Sequence, residues 1–125
     1  MSREDLTLLP QQLAAASLSN REIVLTYEKA LQAIDIVTRQ GAVVFCWEGW
    51  LELADGGHTH SPTHQGILEI AQAQGEQYES YAERAASAVR TSIAASQERW
   101  CREPEFPGAK LYYCLSVKRG TDNRT

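Results

Sequence analysis

An alternation of side chains over residues 109–118 constrains the fold more than any other feature of this sequence. Leu111, Tyr113, Leu115 and Val117 occupy every second position, and more polar residues stand between them. Because successive side chains of a β-strand point to opposite faces, the pattern predicts a strand with one buried face and one polar face. A strand of this kind needs a covering layer on one side only.

Two amphipathic helices are predicted to form that covering layer. A capping box at residues 19–22 predicts the start of the first helix, and Gly41 suits its C-terminal cap. A second capping box at residues 80–83 predicts the start of the other helix, which Pro104 ends. Each helix repeats apolar residues every three or four positions, so each has one face to bury.

Further strands are predicted between the two helices. Residues 42–53 are rich in β-branched and aromatic side chains, with Gly49 at the position of a bulge or of a close approach to the backbone. A bulge at this glycine would bring the two flanking tryptophans towards one side. Residues 58–66 have the pattern of a strand that is partly loop, and residues 67–70 that of a short strand or a turn.

Together these elements predict an α+β fold. A small antiparallel sheet of three to four strands packs with two α-helices, in the order helix, strand, strand, helix, strand. The length of 125 residues favours one domain at residues 19–118, with a partly ordered N-terminal arm at residues 1–18 and a flexible tail at residues 119–125. Two helices leave part of such a sheet uncovered, which favours self-association.

Composition excludes several classes of partner. The formal net charge of -4 argues against a nucleic-acid polymer, because binding a duplex relies on many lysines and arginines. The longest apolar stretch, residues 41–47, is too short to cross a bilayer, and the N-terminus has no signal-peptide pattern. We therefore expect a cytoplasmic protein with no membrane partner.

No pattern in the sequence is typical of catalysis. Cys46 and Cys114 lie in apolar strands, where a thiol is inert, and the chain has neither a phosphate-binding glycine loop nor a nucleophile elbow. We therefore predict no catalytic residue, no cofactor and no bound metal. His58, His60 and His64 leave open the hypothesis of a metal-dependent hydrolase, although solvated loop histidines are commoner than metal ligands.

A small anionic ligand needs far fewer positive charges than a polymer, and the chain has side chains suited to one. Aromatic rings offer stacking surfaces for a base, arginine and lysine hold phosphates, and histidine and glutamine donate hydrogen bonds. The predicted ligand-binding residues are Trp50, His64, Gln65, Arg84, Arg90, Tyr112, Lys118 and Arg119. The alternatives are that one tryptophan of residues 47–50 fills the core and that the helix arginines form local ion pairs on a solvated face.

Five segments resemble one family of small phage proteins, which counter the bacterial Thoeris defence by sequestering its cyclic ADP-ribose signal. The segments are residues 19–34, Trp47-Glu-Gly-Trp50, Asp55-Gly with a later histidine, His64-Gln-Gly66 and residues 111–117. The resemblance spans residues 19–118, and the N-terminal arm is extra relative to it. It implies a binding protein without turnover, assembled as a homo-oligomer with pockets at or near subunit boundaries.

The function implied by this resemblance is to bind a nucleotide second messenger of the cyclic ADP-ribose type and so to block a bacterial anti-phage signalling pathway. The alternative is a protein–protein interaction module of the immunity or antitoxin kind, which turns an acidic surface towards a basic partner. Small acidic α+β chains without a catalytic constellation suit both classes.

Overall fold

Four antiparallel strands, three α-helices and one 3₁₀ helix make up the part of the chain that the computed structural model describes, residues 2–66 and 70–119. In chain order they are the 3₁₀ helix Ser2–Leu8, α1 (Gln11–Ala15), β1 (Ile23–Leu25), α2 (Tyr27–Arg39), β2 (Ala42–Glu52), β3 (His58–Gly66), α3 (Tyr78–Arg102) and β4 (Lys110–Arg119). The sheet order is β1-β4-β2-β3. This architecture confirms the predicted α+β class. The element predicted at residues 67–70 falls largely outside the described residues, as does the tail beyond Arg119.

The core lies between one face of the sheet and the helices α2 and α3. The alternation in β4 places Leu111, Tyr113 and Leu115 on that face, as predicted, and each is at most 6% exposed. Ile34 of α2 and Val89 of α3 join the same cluster and are fully buried. Both helices therefore bury apolar side chains against one side of the sheet, while the first turns of α3 form a second cluster in which Tyr81, Ala82 and Ala85 pack with Val43.

The opposite face of the sheet, called the outer face below, carries the residues between these core positions. They are Glu48, Trp50 and Glu52 on β2 and Tyr112, Cys114 and Ser116 on β4. The register places Trp50 opposite Tyr112 and Glu48 opposite Cys114. The outer face is therefore the polar face that the sequence predicts.

The first long helix begins later than predicted. Ser19 Oγ accepts hydrogen bonds from the amides of Arg21 and Glu22, so the predicted turn forms. The chain then enters β1 (Ile23–Leu25), which pairs with β4, and α2 starts only at Tyr27. All three residues of β1 are fully buried, although the alternation of a strand sends Val24 to the opposite face from Ile23 and Leu25.

Helix α3 begins earlier than predicted. Its N-cap is Gln77 and its first residue is Tyr78, so the predicted capping box at residues 80–83 lies inside the helix. The Tyr81 hydroxyl donates a hydrogen bond of 3.0 Å to the carbonyl oxygen of Ile70. This contact ties the first turn of α3 to the segment before it.

Both predicted helix ends are confirmed. Helix α2 ends at Arg39, and Gly41 follows with φ of 86°, in the left-handed region that favours glycine after a helix. Helix α3 ends at Arg102, just before Pro104. Proline lacks an amide hydrogen and so cannot continue the helical hydrogen-bond ladder.

The N-terminal arm packs on the core cluster. Leu9 and Leu13 are each 7% exposed and belong to that cluster. Gln40 Nε2 at the end of α2 donates a hydrogen bond of 2.6 Å to the carbonyl oxygen of Leu8. Among the described residues, no helix has the length and apolar character that crossing a membrane requires.

Candidate functional site

A wide irregularity in β3 sits across from Gly49. Glu48 pairs with Gln65 and Trp50 pairs with His60, so residues 61–64 face a single residue of β2. A Cβ built at position 49 would lie 2.6 Å from the carbonyl oxygen of His64. Of the two alternatives that the sequence left open, Gly49 therefore provides the close backbone approach, whereas the bulge lies in β3 and not in β2.

The bulge does not bring Trp47 and Trp50 to one side, contrary to the prediction. Trp47 lies in the core, is 3% exposed and donates from Nε1 to Ser92 Oγ of α3 at 2.9 Å. Its ring also meets Tyr113 edge-on, with centroids 5.2 Å apart. Trp50 remains on the outer face, because the extra residues of the bulge are inserted in β3 and the alternation of β2 from Trp47 onward is preserved.

His64 turns away from the outer face and into the helix layer. It is 1% exposed, and its Nδ1 lies 2.6 Å from Ser96 Oγ and 3.2 Å from an Arg99 guanidinium nitrogen. Burial of the ring, and next the charge of Arg99, lower the pKa of His64 below its usual value. The residue is therefore a buried histidine that joins β3 to α3.

The three histidines do not form one site. The imidazole of His60 bonds to the Glu48 carboxylate on the outer face, whereas His64 points into the helix layer. Within residues 2–66 and 70–119, no group of three or more histidine, cysteine or acidic side chains is placed to hold a metal ion. The geometry thus gives the hydrolase hypothesis no support.

Glu105 fixes the β3 bulge from the loop after α3. Its carboxylate accepts hydrogen bonds from Ser61 Oγ at 2.7 Å, from the Thr63 amide at 3.2 Å and from the Thr63 hydroxyl. Burial alone would raise the pKa of Glu105, but these hydrogen bonds and the nearby His64 outweigh it, and the pKa lies below its usual value. The bulge is thus held by a charged group as well as by Gly49.

The helix arginines form ion pairs. Arg84 donates to the Glu76 carboxylate and to the Ala71 carbonyl oxygen, each at 2.8 Å. Arg90 pairs with Asp35 of α2 and so lies between the two helices. These contacts favour the alternative that the sequence left open, local ion pairs on a helix surface.

A cavity of about 410 Å³ lies at the end of the outer face where β3 leaves β2. It is lined by Phe45, Cys46, Trp47, Glu48, Gln65, Gly66 and Ser116, and we call it the Phe45 cavity. Such a volume falls within the range of ordinary small-molecule sites. The lining combines an aromatic ring, a carboxylate, an amide and a hydroxyl.

Lys118 supplies a cation beside the Phe45 cavity. Its Nζ lies 5.5 Å from the centroid of the Phe45 ring and 5.3 Å from that of Tyr81. Arg84 approaches the same Tyr81 ring, with its Cζ 5.8 Å from the centroid. Three predicted binding residues, Gln65, Lys118 and Arg84, are therefore brought to one end of the sheet.

The other predicted residues lie elsewhere. Trp50 and Tyr112 face each other farther along the outer face, where the Tyr112 hydroxyl donates to Glu52 Oε1 at 3.3 Å. Burial and the charge of Glu52 raise the pKa of Tyr112. Arg119 reaches the Thr7 hydroxyl of the N-terminal arm at 3.4 Å.

Phe45 is the functional candidate that the sequence did not single out. The register between β2 and β4 shifts between Val44 and Cys46, so Phe45 stands outside the regular alternation. An aromatic residue in the middle of an apolar strand is ordinarily read as core. Only the paired strand shows that this ring flanks a cavity, so the sequence carries little signal for it.

Comparisons with protein-family models, with curated proteins and with solved structures find no match to this chain. No relative therefore assigns a ligand to the Phe45 cavity, and the resemblance to anti-Thoeris proteins stays a prediction.

Proposed function

We propose that the protein binds a small nucleotide of the cyclic ADP-ribose type in the Phe45 cavity and sequesters it without turnover. By this activity it would block a bacterial anti-phage signalling pathway from within the cytoplasm. The observation that carries the proposal is the position of Lys118 Nζ, 5.5 Å from the Phe45 ring centroid beside a cavity of about 410 Å³.

The ring and the cation suit the two ends of a nucleotide. Stacking of a base on an aromatic side chain contributes about 1–3 kcal/mol and depends little on which base is present. An ammonium group nearby supplies charge-assisted hydrogen bonds to phosphate oxygens. The pairing of Phe45 with Lys118 supports the proposal that one molecule presents its base to the ring and a phosphate to the ammonium group.

The remaining lining groups suit a ribose and the edge of a base. The Glu48 side chain is 40% exposed, and a carboxylate accepts hydrogen bonds from sugar hydroxyls or an exocyclic amine. Gln65 donates from Nε2 to the Ser61 carbonyl oxygen at 3.3 Å, which leaves its own carbonyl oxygen for a ligand. Ser116 adds a hydroxyl that both donates and accepts.

Binding without turnover is supported by the environment of Cys46, the thiol in the lining. A cysteine nucleophile needs a base that forms the thiolate. Among the described residues, Cys46 makes no hydrogen bond to a histidine, and His60 bonds to Glu48 instead. The cavity thus offers contacts for holding a nucleotide, and the proposal assigns no thiol chemistry to Cys46.

Self-association is part of the proposal. Tyr81, Ala82 and Ala85 of α3 pack near Phe45, but Cys46, Glu48 and Ser116 of the cavity lining are partly exposed, so a second copy has access to its rim. We expect a homo-oligomer, and light scattering after size-exclusion chromatography measures its mass directly. A monomer at every concentration would contradict this part and leave the nucleotide proposal to be tested separately.

The test is calorimetric titration with cyclic ADP-ribose isomers, ADP-ribose and AMP, followed by chromatography of the ligand released on heating. We expect saturable binding of at least one cyclic isomer, a rise in melting temperature with ligand concentration, and recovery of the same compound. Recovery of a cleaved product would contradict sequestration. No binding of any of these compounds would contradict the proposal as a whole.

Lys118→Gln provides the matched variant, and Lys110→Gln provides its control. Both lysines lie on β4, but Lys110 stands at the opposite end of the strand from the Phe45 cavity. Loss of a charge-assisted contact predicts binding weaker by about tenfold in Lys118→Gln. Equal affinities in the two variants would show that the ligand lies elsewhere.

A further inference from the structure

A second cluster of aromatic and acidic side chains occupies the outer face beyond the Phe45 cavity. Trp50 stands opposite Tyr112, and the His60 ring lies 5.2 Å from the Trp50 ring. Glu52 accepts a hydrogen bond from the Tyr112 hydroxyl. We call these four residues, Trp50, Glu52, His60 and Tyr112, the Trp50 patch. Each is at least partly exposed.

Acidic side chains outnumber basic ones around this patch. Glu22 lies over the same face, because its carboxylate accepts a hydrogen bond of 3.7 Å from the Cys114 thiol. Glu48 stands opposite Cys114, and Glu52 stands opposite Lys110, the one lysine of this region within the described residues. Glu48 is bonded to His60, and the carboxylates of Glu22 and Glu52 face one ammonium group, so carboxylates outnumber the lysine on this surface.

We propose that the Trp50 patch is a docking surface for a basic segment of a partner protein. Arginine and lysine side chains satisfy both features of the patch, since a cation is attracted to an indole or phenol face and to a carboxylate. Trp50 and Glu52 are two residues apart on β2 and point to the same face, so a guanidinium group stacked on Trp50 is close to the Glu52 carboxylate. The complementary partner is a protein surface rich in arginine.

The charge of the Trp50 patch argues against a nucleotide and against a second copy of this chain as its ligand. A nucleotide phosphate would meet Glu52 and Glu22 at this place, whereas Lys118 lies at the opposite end of the face. A second copy docked through the same patch would bring its own carboxylates against these, in a chain whose formal net charge is -4. The basic partner is the occupant that the electrostatics favour.

The test measures fluorescence anisotropy of a labelled arginine-rich peptide against the full chain. A second peptide, in which citrulline replaces every arginine, has nearly the same shape without the charge. The double variant Glu22→Gln/Glu52→Gln removes two charges from the docking face and keeps both hydrogen-bond acceptors. Its control, Glu83→Gln/Glu98→Gln, removes two exposed charges from α3 and has the same net charge.

We expect the arginine peptide to bind and the citrulline peptide not to bind. The affinity of the Glu22→Gln/Glu52→Gln variant for the arginine peptide should be about tenfold weaker than that of the wild type, whereas the affinity of the α3 control should stay within about twofold. Equal weakening in both double variants would overturn the proposal, because it would show attraction to overall charge alone. Equal binding of the citrulline peptide, or a dimer that the face variant dissociates, would also overturn it. Glu22 and Glu52 do not line the Phe45 cavity, so nucleotide titration of the same variants reports on that site separately.

Discussion

The carbonyl oxygen of His64 occupies the space that a side chain at position 49 would need. The distance from that oxygen to a Cβ built on Gly49 is 2.6 Å, well inside van der Waals contact. The contact joins the middle of β2 to the wide bulge of β3, which Glu105 holds from its other side. The bulge therefore requires a residue without a side chain at position 49.

Gly49→Ala is expected to destabilise the fold. The methyl group meets backbone, which cannot move aside as a flexible side chain can, and we expect a loss of about 1–3 kcal/mol in the free energy of unfolding. Gly57→Ala is the control, because a Cβ there meets only the Asp55 carboxylate, and its cost should stay within about 0.5 kcal/mol. Urea unfolding measures both. Equal costs in the two variants would show that the bulge adapts to the methyl group.

Replacement by phenylalanine should cost much more stability at Trp47 than at Trp50. Trp47→Phe loses the hydrogen bond to Ser92 and leaves space in the core, which predicts a cost of about 1–3 kcal/mol. Trp50 Nε1 is buried without a hydrogen-bond partner among the described residues, so Trp50→Phe removes an unsatisfied donor. We expect a change below about 1 kcal/mol for it, in the same urea assay. A larger cost at Trp50 than at Trp47 would contradict the assignment of the two faces.

The spacing of apolar residues predicts an element correctly where the structure of that element depends on its own residues alone. The alternation of β4 gave its buried face correctly, because that face depends only on the spacing of Leu111, Tyr113 and Leu115. The predicted start of α2 is wrong. Residues 19–22 form the same turn whether a helix or a strand follows, and only the pairing of residues 23–25 with β4 decides that a strand follows. Local hydrogen bonds cannot show that a partner strand is available.

The candidate site was harder to predict than the fold. His64 was expected to face a ligand, but the four-residue bulge turns it into the helix layer, and no sequence period describes such an insertion. Phe45 was missed because its exposure follows from a register shift against β4. Both errors arise from irregular pairing between strands, which is a property of two segments and is not visible in either one.

Stability should decrease on mild acidification because His64 is buried. The pKa of His64 is lower in the folded chain than the ordinary value of 6.5. Between these two pKa values, unfolding therefore takes up a proton. The contribution of His64 is therefore complete above pH 6.5 and is lost as the pH falls towards the lower folded value. His64→Gln should flatten the dependence of the free energy of unfolding on pH in this window.

His58→Gln is the matched control for this pH dependence, because it replaces an exposed histidine of the same strand. A second decline at lower pH should follow from Glu105, whose pKa in the folded chain lies below the ordinary 4.5. Glu105→Gln should remove that part while His64→Gln leaves it in place. Identical profiles for the wild type and both variants would show that neither group links stability to pH.

Thiol labelling offers a direct test of where a nucleotide lies. Cys46 lines the Phe45 cavity, Cys101 is exposed at the end of α3, and Cys114 is buried with a pKa raised by burial and by the charges of Glu22 and Glu48. Maleimide should therefore modify Cys101 fastest and Cys114 slowest. With saturating ligand, we expect Cys46 to react at least about fivefold more slowly, since a bound molecule covers the thiol, while Cys101 keeps its rate. Mass spectrometry of the digested chain separates the three sites, and unchanged labelling of Cys46 under saturation would place the ligand outside this cavity.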